Sequence, residues 1–301
     1  MIELSGQEAF AAYEAVRHRL PNARTAQTGA RKIANLDEIA DQFDVFLLDA
    51  FGVLNIGESP IPETPERVAG LQSAGKRVLI VSNAASVPPT QLQAKYARLG
   101  YSFALEDIIT SRMACIAGIR DAEDLHWGVM ARRGEDMSDF PVTRWSLLED
   151  DPATYDAAEG FILISTGDWD MARQSLLERS LQATPRPIRV ANPDIVAPRE
   201  TGFSTEPGFI AHGLADQTGE DPAFFGKPFA SIYDLAFARL GDIDRSRIVM
   251  VGDSLHTDVL GAHAAGVASV LIAEFGFFAG QDVSNAISLS GIEPTYIAKR
   301  P

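Results

Sequence analysis

The chain has a single cysteine, Cys115, among 301 residues, so no disulfide can form within it. Its stability must come from burial, and a reducing cytoplasmic location is expected. Positive charge is also scarce. Lys plus Arg number 26 against 41 Asp plus Glu, a formal net charge of −15. Nucleic acid and anionic membrane surfaces both require a basic face, so neither is expected as a partner. A small anionic substrate needs only a local positive site. No run of 18 apolar residues occurs, so no spanning helix is expected. The opening MIELSGQEAF has no basic segment followed by an apolar one, so no secretory leader is expected. What remains is ordinary for a folded chain: 46% hydrophobic and 22% charged residues, in a length suited to about two domains.

Residues 1–43 read as a helical preface. Ser5 and Glu8 have capping-box spacing, and Phe10, Tyr13, Val16 and Leu20 recur at helical intervals up to Pro21. Asn35 is placed to cap a second short helix. From Val45 strands and helices alternate. The all-apolar runs Val45–Leu48, Val78–Val81, Ile248–Val251 and Ser269–Ile272 are the mark of parallel strands covered on both faces. Thr64-Pro65-Glu66 reads as a capped helix start, and Asp258–Ala265 as a helix stopped by Gly266. The stretch 122–225 differs in composition and holds all three Trp, with strand candidates at Trp127–Met130, Phe161–Ile164 and Ile188–Val190. The fold class expected is α/β: a doubly wound, Rossmann-like parallel-sheet core over 44–121 and 226–301, with a smaller α/β cap domain, 122–225, inserted into it.

Four polar groups fall at or after the ends of these elements, where ligands of such sheets bind. Asp49 follows Leu47-Leu48 and precedes Ala50-Phe51-Gly52. Ser82-Asn83 follows Ile80-Val81. Lys227 lies between Gly226 and Pro228. Asp253 and Asp258 flank the loop Ser254-Leu255-His256-Thr257. Taken singly, each reads more simply as a turn, a cap or a surface lysine.

In this order the four closely resemble the motifs of the haloacid dehalogenase superfamily, over about 44–118 and 220–300. The insertion resembles the α/β cap of class IIA, the NagD-like phosphatases. Ala191-Asn192-Pro193-Asp194, Pro207-Gly208-Phe209-Ile210 and Gly226-Lys227-Pro228 are similar to that group's cap-to-core signature. The resemblance implies a phosphoric monoester hydrolase. In it, Asp49 attacks phosphorus to form an aspartyl-phosphate. Mg²⁺ is held by Asp49, the Phe51 carbonyl and Asp253, with Asp258 acting behind them. Ser82 and Lys227 grip the phosphoryl oxygens, and Asn83, Asn192 and Asp194 complete the substrate-binding set. The partners implied are a small phosphorylated metabolite and a second copy of the chain, in a homodimer through the cap.

The chain departs from the pattern at position 51. The phosphatases carry a second Asp there, which protonates the leaving alkoxide and later activates water. Phe51 keeps the carbonyl but moves no proton. A positioned acid/base is worth about 10²–10⁴ in rate, so weak or restricted activity is expected. The alternative is a pseudoenzyme that binds a phosphate ligand or a partner. A carbon–halogen hydrolase ranks third, because dehalogenases need no metal and carry a different cap. Glu58, His256 and His212 are noted as substitute acids, each read first as surface or packing. Cys115 and the three Trp are expected in the core.

Overall fold

The computed structural model describes residues 3–22, 29–119, 124–198 and 202–301. Two compact units divide the chain, each built from separated segments. One comprises Tyr13–Ser82, Pro89–Ile109 and Lys227–Pro301; the other comprises the described residues up to Ala12, Asn83–Pro88 and Thr110–Gly226.

The first unit is organised on a seven-stranded sheet. Its order is Arg31–Ile33, Tyr296–Ala298, Ala268–Ile272, Ile248–Gly252, Val45–Leu48, Arg77–Ser82 and Ile108–Thr110. Val45–Leu48 lies inside it, paired in parallel with Ile248–Gly252 and Arg77–Ser82. All four of its residues are buried, which is why the run is apolar without alternation. The helix after the first motif spans Thr64–Ser73, but Thr64 is not its cap. Glu63 stands before it with φ 67°, and Pro65 occupies the first turn.

The second unit is built on a five-stranded parallel sheet ordered Ala223–Phe224, Ile188–Val190, Gly160–Leu163, Trp127–Met130 and Trp145–Leu147. On it, helices Met171–Ala183 and Pro207–Thr218 bury Leu177, Leu181, Ala211 and Leu214 with Phe161 and Trp169. A separate cluster gathers Cys115, Ile116 and Ile119 from helix Ser111–Ile119 with Trp127, Val129 and Phe140. Cys115 is buried and free, as its helical spacing indicates. Trp127 and Trp169 are core residues, whereas Trp145 is 41% exposed on an edge strand.

The helical reading of residues 1–43 needs correction. Helix Gly6–Ala15 forms, and Ser5 and Glu8 exchange capping-box bonds: Glu8 N–H donates to Ser5 Oγ at 3.3 Å, and Ser5 N–H donates to Glu8 Oε2 at 2.8 Å. Asn35 also caps a turn, accepting from Asp37 N–H at 2.9 Å. Yet Arg31–Ile33 is an edge strand of the large sheet, parallel to Tyr296–Ala298. Glu3–Leu4 is a strand as well, antiparallel to Phe203–Thr205. Both are too short to show a period of two. No helix among the described residues is long and apolar enough to cross a membrane.

Candidate active site

Register brings the functional side chains together. Leu48 pairs with Val251 on one side and Ile80 on the other, so Asp49, Asp253 and Ser82 leave the same carboxyl edge of three adjacent strands. Asp49 N–H donates to Val251 O at 2.9 Å, carrying the pairing one residue past the strand. Ser82 ends its strand as a buried residue.

Lys227 is the cation at this edge and is 1% exposed. Its Nζ lies 2.7 Å from Asp49 Oδ1 and 2.7 Å from Asp258 Oδ1. Burial disfavours the ammonium, but Asp258 and Asp49 outweigh it and raise the lysine above its usual range. Asp258 Oδ2 accepts from the backbone N–H groups of Asp253 and Ser254, each at 3.1 Å. Asp253 Oδ2 accepts from Phe277 N–H at 2.8 Å. The expected helix at Asp258 starts differently: Leu255–Val259 is a single π turn, followed by helix Leu260–Ala265. Such turns interrupt helices mostly where function requires it.

Two carboxylates therefore hold one ammonium, and a third, Asp253, converges with them. An oxygen from each of Asp49, Asp253 and Asp258 lies within 4.8 Å of the others. Burial raises Asp49 to about 6 despite the opposing pull of Lys227. Burial, then Asp258 and Asp49, raises Asp253 well above the carboxylate range. An all-oxygen set with surplus negative charge suits a hard divalent cation. The backbone around it leaves room for no side chain. Gly52 stands at φ +75°, and a Cβ there would lie 2.5 Å from Asp253 Oδ2. Gly276, at φ +71°, would clash with the same carboxylate. The residues present thus fit a metal.

Phe51 lies in the turn after Asp49, half-buried and bridged through its backbone to Asn55. The substitute acids are engaged elsewhere. Glu58 is exposed and pairs with Lys95 at 2.9 Å. His212 is buried and stacks on Phe224, with centroids 4.6 Å apart. His256, 1% exposed, places Nε2 at 2.5 Å from Glu14 Oε1. That partner was missed in the sequence, since the two residues are 242 positions apart.

Asn83, Asn192 and Asp194 form a second cluster, in the inserted unit. Asn83 Nδ2 donates to Asp194 Oδ1 at 2.7 Å, and Asp194 N–H donates to Asn192 Oδ1 at 3.0 Å. Gly226 keeps this corner open: it stands at φ +124°, and a Cβ there would lie 2.6 Å from Asn83 Oδ1.

Known proteins resemble this chain over most of its length. Residues 46–136 match the model of the family described as haloacid dehalogenase-like hydrolase, and residues 224–300 match a second, HAD-hydrolase-like model. A D-glycerol 3-phosphate phosphatase of Mycobacterium tuberculosis is 32% identical over 244 residues, 79% of this chain and 65% of that protein. The chain thus spans just under two thirds of that relative's length. An acid sugar phosphatase of Staphylococcus aureus is 25% identical, covering 86% of this chain and 95% of that one. Among solved structures, a possible sugar phosphatase from Cytophaga hutchinsonii superposes with a TM-score of 0.78 at 24% identity, over 90% of this chain and 98% of that one.

Proposed function

The chain belongs to the haloacid dehalogenase-like hydrolases, in the NagD-like phosphatase group, and from that premise we propose a Mg²⁺-dependent phosphatase of small phosphorylated metabolites with restricted activity. The observation that carries this reading is the convergence of Asp49, Asp253 and Asp258 oxygens, with Asp49 and Asp258 both paired to the Lys227 ammonium.

Asp49, Asp253 and Asp258 would hold the ion, joined by the Phe51 carbonyl. When bound, Mg²⁺ supplies charge that offsets the negative phosphoryl oxygens. The chain's own residues do the rest. Lys227 holds Asp49 by one oxygen, and its fixed charge favours the charge spread over the phosphoryl group in transit. Asp49 donates an electron pair to phosphorus as the ester P–O bond breaks. The leaving oxygen takes its proton from water, since Phe51 has none to give. Water then attacks the aspartyl-phosphate, returning Asp49 and releasing phosphate. Ser82, at the same sheet edge, is suited to donate to a phosphoryl oxygen. Residues 122–225 act as the cap that sets specificity. Asn83, Asn192 and Asp194 are kept as substrate-binding residues, and within their own unit Asn83 is bonded to Asp194.

The nature of residue 51 also favours a second reading, a phosphate-binding pseudoenzyme. One experiment separates the two. Phosphate release from p-nitrophenyl phosphate should require Mg²⁺, stop with EDTA and fall at least about 10³-fold in Asp49→Asn. Phe51→Asp should raise kcat/KM for an alkyl phosphate about 10²-fold more than for p-nitrophenyl phosphate, whose leaving group needs no proton. No Mg²⁺-dependent release from wild type would favour the pseudoenzyme. An unmoved substrate ratio would show that the missing proton is not the restriction.

A further inference from the structure

Helix Gly6–Ala15 lies outside both family matches, and no step above uses it. Its last turn nevertheless packs against the residues that hold the carboxylates. The Tyr13 ring stacks on His256, with centroids 5.0 Å apart and planes within 12°. The same ring meets Phe277 edge-on at 6.1 Å. Glu14, the next residue, accepts from His256 Nε2 at 2.5 Å. Tyr13 and His256 are both buried, so their stacking is dry, while Glu14 reaches the imidazole from a partly exposed position.

These two ring neighbours of Tyr13 both lead to a carboxylate. His256 is in the π turn that delivers Asp258. Phe277 gives the backbone N–H that fixes Asp253 Oδ2. An aliphatic side chain would suffice if the helix only covered apolar surface. A carboxylate bonded to a buried imidazole is a costlier arrangement, and it specifies one orientation of the loop.

We propose that Tyr13 and Glu14 are positioning residues of the cation site, holding through His256 and Phe277 the loop geometry in which Asp253 and Asp258 converge. This rests on the reading of those carboxylates as cation ligands. Groups behind metal ligands typically change metal affinity about 10- to 100-fold when removed.

The test is calorimetric titration of the full chain with Mg²⁺ alone, without substrate. Glu14→Ala and Tyr13→Ala should each weaken binding about tenfold. Glu14→Gln, whose amide oxygen still accepts from Nε2–H, should stay within about threefold of wild type. Glu8→Ala breaks the capping box at the far end of the same helix and should leave binding unchanged. Tyr13→Leu keeps the apolar bulk and removes the stacking, so it decides the matter if Glu14→Ala folds poorly. The proposal falls if Glu14→Ala and Tyr13→Leu both bind like wild type, or if Glu8→Ala weakens binding as much as Glu14→Ala. Asp253→Asn separates the two levels. If wild type binds no Mg²⁺, or Asp253→Asn binds as well as wild type, the site reading itself fails. If Asp253→Asn abolishes binding while Glu14→Ala does not weaken it, only the role of the helix fails.

Discussion

Two buried cations, one in each unit, are treated in opposite ways. Arg112 in the inserted unit has a fully buried side chain. Its Nε donates to Asp139 Oδ2 at 3.0 Å, its Nη1 donates to Ala85 O at 2.9 Å, and its Nη2 reaches Asp136 O and Asp139. The guanidinium also lies 4.6 Å from the centre of the Phe140 ring. One positive charge meets one carboxylate, and the remaining donors find carbonyls. Lys227 meets two carboxylates, Asp49 and Asp258, which converge with a third, Asp253, and burial raises Asp49 and Asp253 above their ordinary range. The first arrangement is complete as it stands. The second has negative charge to spare, which folding alone would not select. A buried ion cluster therefore points to function when it is left under-neutralised, and burial by itself does not.

Breaking each cluster should separate the two roles. Arg112→Met leaves Asp139, the buried Ala85 carbonyl and the Asp136 carbonyl without their partner. It should cost about 3 kcal/mol of unfolding free energy, at the low end for a broken buried pair because Asp139 is a third exposed. Urea unfolding would measure this, with Mg²⁺ affinity unchanged. A loss below about 1 kcal/mol would place this pair among surface-type interactions. Lys227→Met should act the other way round. Its kcat/KM on p-nitrophenyl phosphate should fall about 10²–10³-fold, the usual effect of removing one preorganised electrostatic group. In saturating Mg²⁺ its stability should fall less than that of Arg112→Met. Equal stability losses in the two variants would erase the contrast.

The completed and the under-neutralised cluster also differ in how far the sequence reveals them. Asp49, Ser82 and Asp253 were legible because buried parallel strands are unbroken apolar runs, and polar residues at their ends stand out. Lys227 follows no such run and was legible only through Gly226-Lys227-Pro228 and its place in the order of the superfamily's motifs. Arg112 was invisible as a core residue, since one arginine on a helix reads as solvated surface. The edge strands Arg31–Ile33, Trp145–Leu147 and Ala223–Phe224 are two or three residues long, with little or nothing buried, and leave no pattern. The Glu14–His256 bond spans 242 positions and leaves no local trace.

The smallest effect tests the surplus charge itself. Asp49 titrates near 6 in the fold against about 3.8 for an ordinary Asp, and Asp253 is raised as well. A carboxyl raised in the folded state contributes stability that is fully present below its unfolded value and lost as pH rises through its folded value. Without metal, Asp49 and Asp253 should therefore weigh against the fold more at pH 7.5 than at pH 5. Mg²⁺ reverses that penalty, but only where the carboxyls are ionised to receive it. At a hundredfold excess over Kd, binding to the folded state alone adds about 2.7 kcal/mol. For a chain of this size that corresponds to roughly 5 °C in Tm. Added Mg²⁺ should therefore raise Tm by about that much at pH 7.5 and by less than about 2 °C at pH 5, where protons compete with the ion for the raised carboxyls. Taking the difference with and without Mg²⁺ at each pH cancels every group that does not touch the ion. Asp253→Asn should remove the pH 7.5 gain while keeping the fold. An equal gain at both pH values would mean that the ion binds somewhere other than this trio.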